Sequence, residues 1–162
     1  MPDVRLDPSW SHELLALQSM ASTIESDLEE LMQLAVERAL RMVRTASGAM
    51  IDLCDLDERE CRAASGSAAA YLGYRQPVTG ELFRECIDGR RGQLCRDTQA
   101  DRRVDADFCR KAGIGSIVLA PILYEGSAVG TLKLFGHEAN CFGDEEFLVA
   151  QLLAGTIVTG LA

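Results

Sequence analysis

The sequence predicts an α+β fold, with a mostly antiparallel sheet of five to six strands and with helices from both chain ends packed on one face. Three observations indicate this class. The chain has 162 residues, of which 48% are hydrophobic, so it can bury one core and form one domain. Strand-like runs follow one another as neighbouring hairpins, and amphipathic helical patterns begin and end the chain. The predicted order is α, β, β, α, β, α, β, β, α.

The N-terminal third is predicted to be helical. Its apolar residues recur at alternating steps of three and four, a spacing that aligns Leu14, Leu17, Ala21, Ile24, Leu28, Leu31 and Ala35 on one helix face. Ser26 and Glu29 suit a capping box, so we expect a break just before them and a second helix over about residues 27–45. We therefore expect an N-terminal helical extension over residues 1–26, and a main domain over residues 27–162.

The first predicted hairpin consists of "GAMIDLCD" and "ECRAASG", joined by the charged "LDER". Because side chains alternate between the two faces of a strand, Ile51 and Leu53 are expected under the helices. The other face then carries Met50, Asp52 and Cys54. A register that pairs Asp55 with Glu60 would also place Cys54 opposite Cys61.

The middle of the chain is predicted to hold a loop, a helix, a short strand and a charged segment. "SAAAYLGYRQP" has no clean period and is interpreted as the loop. In "TGELFRECIDGRR", Thr79 suits a helix cap and Gly89 a helix end, and the backbone N–H groups of Thr79 and Gly80 could receive an anion. The strand "GQLCRD" leads into residues 97–111, where acidic and basic side chains alternate and must be solvated or paired.

The segment "GIGSIVLAPILYEGSAVGTLKLF" is predicted to form two strands joined by a turn at Glu125 and Gly126. Alternation places Leu132 and Leu134 on the helix face and Lys133 on the opposite face. A plain tight turn would pair Lys133 with Val118, whereas a bulge would shift that register by one residue. The face opposite the helices would then carry small or polar side chains, namely Ser116, Val118, Ala120, Thr131 and Lys133. Such a face leaves volume for a pocket.

Lys133 is the most informative residue of that face. A desolvated ammonium is costly unless a negative group meets it. Three arrangements remain open: Lys133 reaches solvent, it pairs with Asp52, or it meets an anionic ligand whose other end faces Thr79 and Gly80. In the last case we expect residues 97–111 to act as a lid that orders when the ligand neutralises part of its arginine cluster.

The closing segment, from Phe147, is predicted to be a helix, with acidic residues at its positive N-terminal end. A single small sheet cannot bury Leu14, Leu17, Ile24 and Leu28 together. We therefore expect a homodimer in which parallel N-terminal helices pack beside the closing helix.

Composition and charge exclude several classes of function. The net charge of -9 repels nucleic-acid backbones and anionic membrane surfaces, so neither is an expected partner. We see no signal peptide and no apolar run long enough to span a membrane, which predicts a cytoplasmic protein. The six cysteines form no CxxC pair and are expected to be free thiols. His137 and Cys141 alone do not make a metal site, so no metal is expected.

Over roughly residues 28–161 the chain resembles a GAF domain, a PAS-related family. The matching pieces are "GAMIDLCD", "PVTGELF", "QLCRDTQADRRVD", the central hairpin and "CFGDEEFLVAQLLA". The resemblance implies that residues 27–162 are a GAF-like sensor domain, a regulatory module that binds a small molecule and is often dimeric through its terminal helices. It also implies an output domain, which we expect to be a separate partner or to have been deleted.

The resemblance does not identify a cofactor. The bilin-attachment Cys-His pair is replaced by Cys109 and Arg110, and "FGHEANCFGDEE" lacks the Asn-Lys pair of cyclic-nucleotide binders. Pocket positions of that branch fall near Met50, Ser65, Val78, Thr79 and Asp97. Together with the sheet-face residues, the candidate ligand-binding set is Met50, Asp52, Ser65, Val78, Thr79, Asp97, Ser116, Thr131 and Lys133.

The leading interpretation is a non-catalytic signalling module that transmits the state of its pocket through the terminal helices of a dimer. Two alternatives stay open. One is a small cysteine-dependent redox enzyme or sensor, similar to the GAF-like methionine sulfoxide reductases, using Cys86, Cys95 and Cys109. The other is a dimerisation module without a ligand.

Overall fold

Six strands form one antiparallel sheet, with the spatial order β3-β2-β1-β6-β5-β4. The strands are β1 (Gly48–Asp55), β2 (Glu58–Gly66), β3 (Arg75–Pro77), β4 (Gln93–Cys95), β5 (Ser116–Tyr124) and β6 (Ser127–Gly136). The computed structural model describes residues 28–161 except 56 and 79, and it describes side chains only as far as residue 157. The predicted N-terminal helix, its dimer contact and Thr79 lie outside the described residues.

Within residues 28–161, four α-helices accompany the sheet: α1 (Leu28–Met42), α2 (Glu81–Gly89), α3 (Ala106–Ala112) and α4 (Asp144–Leu161). A short 3₁₀ turn, Ala69–Tyr71, follows β2. This architecture confirms the predicted α+β class, and its six strands fall within the predicted five to six. The sequence interpretation missed β3, because its three residues show no alternation and stand inside a loop-like stretch. None of the described helices is both long and apolar enough to cross a membrane.

Helices α1 and α4 pack on one face of the sheet, called here the helix face. From the strands, Ile51, Leu132 and Leu134 enter this core, and Val149 and Leu153 enter it from α4. All five side chains are fully buried. This core confirms the predicted position of the terminal helices and of the β1 and β6 side chains beneath them.

The opposite face, called here the pocket face, carries a second core that α2 and α3 cover only in part. The sheet contributes Met50, Ile117, Leu119 and Phe135, and α2 contributes Leu82, Phe83 and Cys86. Asp105 caps α3, because its side chain accepts a hydrogen bond from the Phe108 N–H at 3.1 Å. The incomplete cover leaves space between the sheet and these two short helices.

The β5–β6 pairing differs from the plain tight-turn register. Lys133 lies opposite Leu119 instead of Val118, because a bulge shifts the ladder beside Ile122. The bulge lies next to Gly130, where an added Cβ would come within 2.2 Å of the Asp52 carbonyl oxygen. The pocket face therefore carries the larger side chains Ile117 and Leu119, and the prediction of a small-residue face is wrong for β5.

The first hairpin also departs from its predicted register. Cys54 pairs with Arg59, and a second bulge places Cys61 opposite Asp52. The Cys54–Cys61 pairing predicted from the sequence is therefore wrong. As a consequence, Arg59 stands on the pocket face beside Asp52. The predicted register did not bring these two residues together.

Candidate functional site

A pocket of about 510 Å³ opens between the pocket face and the two short helices. Its floor is formed by sheet residues, notably Met50, Ile117, Leu119, Lys133 and Phe135. Phe83 of α2 and Cys109 of α3 contribute to its walls. The volume lies within the range of small-molecule sites in proteins.

Lys133 projects from β6, the strand at the centre of the sheet, and is flanked by Met50 on β1 and Leu119 on β5. Its Nζ lies 5.8 Å from the centre of the Phe135 ring. Among the described residues, no group accepts a hydrogen bond from this ammonium or forms an ion pair with it. Burial lowers the pKa of Lys133, and the positive charge of Arg59 adds to this effect, whereas Asp52 opposes it.

Arg59 and Asp52 form a charged pair at one side of the floor. Arg59 Nη1 lies 3.7 Å from Asp52 Oδ2, and both side chains are largely shielded from solvent. Burial raises the pKa of Asp52, while Arg59 and Lys133 counteract this shift. The Gln76 amide, oriented with its oxygen toward Arg59, accepts from Nη2 at 3.1 Å and from Nε at 3.2 Å. Arg59 is therefore held by partners of the same chain.

Arg103 also lines the pocket, and its guanidinium is bound to neighbours of the same chain. It donates to Asp101 at 2.7 Å and to Glu85 of α2 at 2.9 Å, and further bonds reach Gln93 and the Leu94 carbonyl. The hydrogen bonds from Arg103 lower the pKa of Asp101 to about 2. This network fixes the loop before α3 against α2 and β4.

Four exposed residues line the opening of the pocket, called here the pocket mouth: Tyr74, Gly80, Asp105 and Phe108. Tyr74 is 57% exposed and packs edge-to-face with Tyr71, with 6.4 Å between the ring centroids. Phe108 is 51% exposed. The mouth therefore combines two aromatic side chains with one carboxylate.

The thiols around the pocket are poor nucleophiles. Cys61 and Cys109 line it, and Cys86 is buried behind it. Burial raises the pKa of Cys61 to about 11 and that of Cys86 to about 12, and it also raises the pKa of Cys109. All six cysteines are free thiols. No group of three or more metal-ligating side chains comes together within the described part of the chain.

The structure brings only part of the predicted site set to the pocket. Met50 and Lys133 line it, and Asp52 lies behind Arg59. Thr131 is fully buried, and its hydroxyl has no hydrogen-bond partner among the described residues.

The other predicted residues stand elsewhere. Ser116 bonds to the Glu138 carbonyl at 2.8 Å, and Ser65 pairs with Ala49 of the helix-face core. Val78 packs against the pocket-face core without lining the pocket. Asp97 closes a turn by accepting from the Gln99 N–H at 3.0 Å. Thr79 is outside the described residues, whereas the adjacent Gly80 lines the mouth.

Sequence reasoning missed Arg59, Tyr74 and Phe108. The predicted register of the first hairpin lacked the bulge at Asp52, so it did not place Arg59 on the pocket face. Tyr74 and Phe108 stand in segments interpreted as a loop and as a solvated charged stretch. An aromatic side chain in such polar surroundings was the only available signal.

Comparisons with known proteins agree on one family. A model of the GAF domain family matches residues 25–162. No curated protein sequence gives a significant match.

Among solved structures, the GAF domain of an Acinetobacter phosphoenolpyruvate-protein phosphotransferase is similar, with a TM-score of 0.78 at 11% identity over 96% of this chain and 94% of that one. The phycoerythrobilin-bound GAF domain of a cyanobacterial phytochrome has a TM-score of 0.79 at 18% identity, over 98% and 95% of the two chains. Free methionine-R-sulfoxide reductase from Neisseria meningitidis, solved with its substrate, has a TM-score of 0.79 at 15% identity, over 99% and 95%. The family match and the shared fold establish that this chain belongs to the GAF domain family.

Proposed function

We propose that this GAF domain is a non-catalytic sensor module that binds a small anionic molecule in its pocket and passes the bound state to its terminal helices. The observation that carries the proposal is the ammonium of Lys133, which stands at the pocket floor with no hydrogen-bond or ion-pair partner among the described residues. A partly buried charge without an ionic partner is costly, and an anion bound beside it would offset that cost.

Similar structures support a ligand in this pocket. The cyanobacterial phytochrome domain was solved with phycoerythrobilin and the Neisseria reductase with its substrate. Both share the fold of this chain at low sequence identity, so they support the use of the fold for small-molecule binding and not the identity of the ligand. Cytoplasmic location and signalling to an output domain belong to the same proposal.

The redox alternative has less support. A catalytic thiol needs a lowered pKa, so that the thiolate is present near neutral pH. Burial instead raises the pKa of Cys86 and Cys95 to about 12, and it also raises the pKa of Cys109. A sensor of this kind should show no turnover when free methionine sulfoxide is supplied with a thiol reductant.

The lid hypothesis needs revision. Arg103 is already paired with Asp101 and Glu85, and Arg110 is paired with Asp107. A ligand is therefore not required to neutralise these arginines. We propose instead that residues 97–111 form a fixed wall, and that a ligand acts through Lys133 on the sheet.

A thermal-shift screen tests the proposal, with benzoate, succinate, citrate and AMP as probes. The chain contains two lysines, Lys111 and Lys133, which provides a matched control. Lys111 is exposed on α3, with its Nζ 3.0 Å from Asp107. At least one anion should raise the melting temperature of the wild type and of Lys111→Met, but not that of Lys133→Met. The proposal fails if no anion stabilises the wild type, or if Lys133→Met responds equally.

The dimer remains a proposal, because the N-terminal segment lies outside the described residues. Light scattering of the intact chain should give the mass of a homodimer, and deletion of residues 1–25 should weaken the assembly. A monomer at high concentration would contradict the dimer. A dimer that responds to none of the four anions would favour the ligand-free dimerisation alternative.

A further inference from the structure

The cations that line the pocket are paired with acidic neighbours of the same chain, with one exception among the described residues. Arg59 is paired with Asp52, and Arg103 is paired with Asp101 and Glu85. Lys133 alone among these cations has no such partner. The floor therefore offers a single uncompensated positive charge.

The surface around that charge is largely apolar. The floor beside Lys133 is formed by the buried side chains Met50, Ile117, Leu119 and Phe135. Such a floor favours an apolar body beside Lys133 and penalises a second charged group placed on it, because that group would lose its hydration without gaining a partner there.

The pocket mouth continues the apolar surface outward. Large hydrophobic side chains are exposed at four positions in the described part of the chain, and two of them, Tyr74 and Phe108, line the mouth. Exposed aromatic side chains gathered at the rim of a pocket are typical of a binding surface.

The carboxylate of Asp105 disfavours a negative group at the outer end of a ligand. This carboxylate lines the mouth, is exposed and serves as the cap of α3. A ligand that carried a second negative group at its outer end would meet this carboxylate. Dicarboxylates and nucleotides are disfavoured for this reason.

Resting on the proposed anion site, we propose that the ligand is a monocarboxylate with an apolar, preferably aromatic, body. Its carboxylate meets Lys133 at the floor, and its apolar end lies against Tyr74 and Phe108 at the mouth. This assigns a ligand class to the pocket and a specificity role to the two aromatic residues of the mouth.

Isothermal titration calorimetry of the full chain tests this class with four probes. 4-Phenylbutanoate carries one carboxylate on an aromatic body, and 4-phenylbutan-1-ol is its uncharged analogue. Adipate has two carboxylates and no aromatic ring, and AMP is an aromatic polyanion. 4-Phenylbutanoate should bind most tightly, and the alcohol should bind at least about 10-fold more weakly, as expected when a charge-assisted contact is lost.

Two pairs of variants locate the contacts. Lys133→Met should abolish the preference for 4-phenylbutanoate over the alcohol, whereas Lys111→Met should keep it. Phe108→Ala should weaken 4-phenylbutanoate by about 2- to 10-fold, the usual contribution of one aromatic contact. Leu152→Ala removes an exposed apolar side chain from α4, on the other side of the sheet, and should change nothing.

The possible outcomes separate the two proposals. Tighter binding of adipate or AMP than of 4-phenylbutanoate, dependent on Lys133, would overturn the ligand class and leave the anion site intact. Binding of 4-phenylbutanoate that is unaffected by Phe108→Ala would overturn the role of the mouth. Absence of binding by all three anions would overturn the ligand class together with the proposed function.

Discussion

The guanidinium carbon of Arg59 lies 4.1 Å from the centre of the Phe83 ring. This stacking joins β2 to α2 across one side of the pocket, and Asp52 and Gln76 hold the other edges of the same guanidinium. Arg59 thus has an aromatic, an ionic and an amide partner within the chain. It is a part of the pocket wall, and Lys133 is the cation available to a ligand.

Replacing Arg59 with methionine should destabilise the protein by about 3 kcal/mol, because Asp52 would be left buried without its cation. The apolar stem of methionine can still contact Phe83, so the loss reports mainly on charge. Urea unfolding followed by circular dichroism at pH 7 measures the effect. The double variant Arg59→Met/Asp52→Asn should recover most of the loss, and Arg75→Met, which breaks an exposed pair with Glu60, should cost less than about 1 kcal/mol.

The loss in Arg59→Met should depend on pH. The pKa of Asp52 is raised in the folded protein, so its folded form binds a proton more readily than its unfolded form, whose pKa is near 3.8. The resulting stabilisation is present below pH 3.8 and disappears as the pH rises through the folded pKa. Removing Arg59 raises that pKa further. The destabilisation should therefore be smaller at pH 4 than at pH 7, and an equal loss at both pH values would contradict this account.

Lys133→Met should stabilise the ligand-free protein by up to about 1 kcal/mol, because it replaces a partly buried ammonium that lacks an ionic partner with an apolar side chain of similar length. The matched variant Lys111→Met should stay within about 0.5 kcal/mol of the wild type, as is usual for exposed positions. Both values follow from urea unfolding at pH 7. A clear destabilisation by Lys133→Met would show that the ammonium has a stabilising partner.

The pKa of Lys133 can be measured directly. Reductive ¹³C-methylation labels two lysines and the N-terminal amine, so few signals must be assigned. The signal of Lys133 should titrate below the usual value of 10.5, and the variant Lys133→Met assigns that signal by its loss. Because the folded pKa is lowered, stability should rise as the pH approaches 10.5 from below, and this rise should be absent in Lys133→Met. Titration of Lys133 at or above 10.5 would refute the lowered pKa.

The thiols should react in two classes. Cys54 and Cys141 are partly exposed, whereas Cys61, Cys86, Cys95 and Cys109 are buried. Burial also raises the pKa of Cys95 to about 12, so little thiolate forms at neutral pH. Ellman's reagent at pH 7.5 should label two thiols quickly in the folded protein and six after unfolding in urea. Four or more fast thiols, or fewer than six in total, would contradict this arrangement.

Sequence periodicity predicted the parts of this fold that depend on alternation along a single strand. Leu132 and Leu134 were placed correctly on the helix face, and Lys133 on the other, because side chains alternate along any strand. The residue that each of these side chains faces on the neighbouring strand was harder to predict. A bulge adds one residue to one strand, and the sequence signal for it at Gly130 is only the absence of a side chain.

The same limit explains which residues of the candidate site were predicted correctly and which were not. Met50 and Lys133 reach the pocket because their faces follow from alternation within β1 and β6. Ser116 was assigned to the wrong face because the register of β5 was shifted by one residue. Tyr74 reaches the mouth from a loop, and Phe108 reaches it from the short helix α3, whose position over the sheet no local period encodes.

Strand β6 separates the two cores by the thickness of a single polypeptide. Lys133 stands at the pocket floor, and its covalent neighbours Leu132 and Leu134 lie in the core that holds Val149 and Leu153 of α4. If a ligand displaced Lys133 as proposed, the displacement would reach the side chains under α4 through two peptide bonds. The hydrogen-bonded ladders of β6 to β1 and β5 set the stiffness of this strand. That stiffness would determine how much of a displacement at the pocket floor reaches the core under α4.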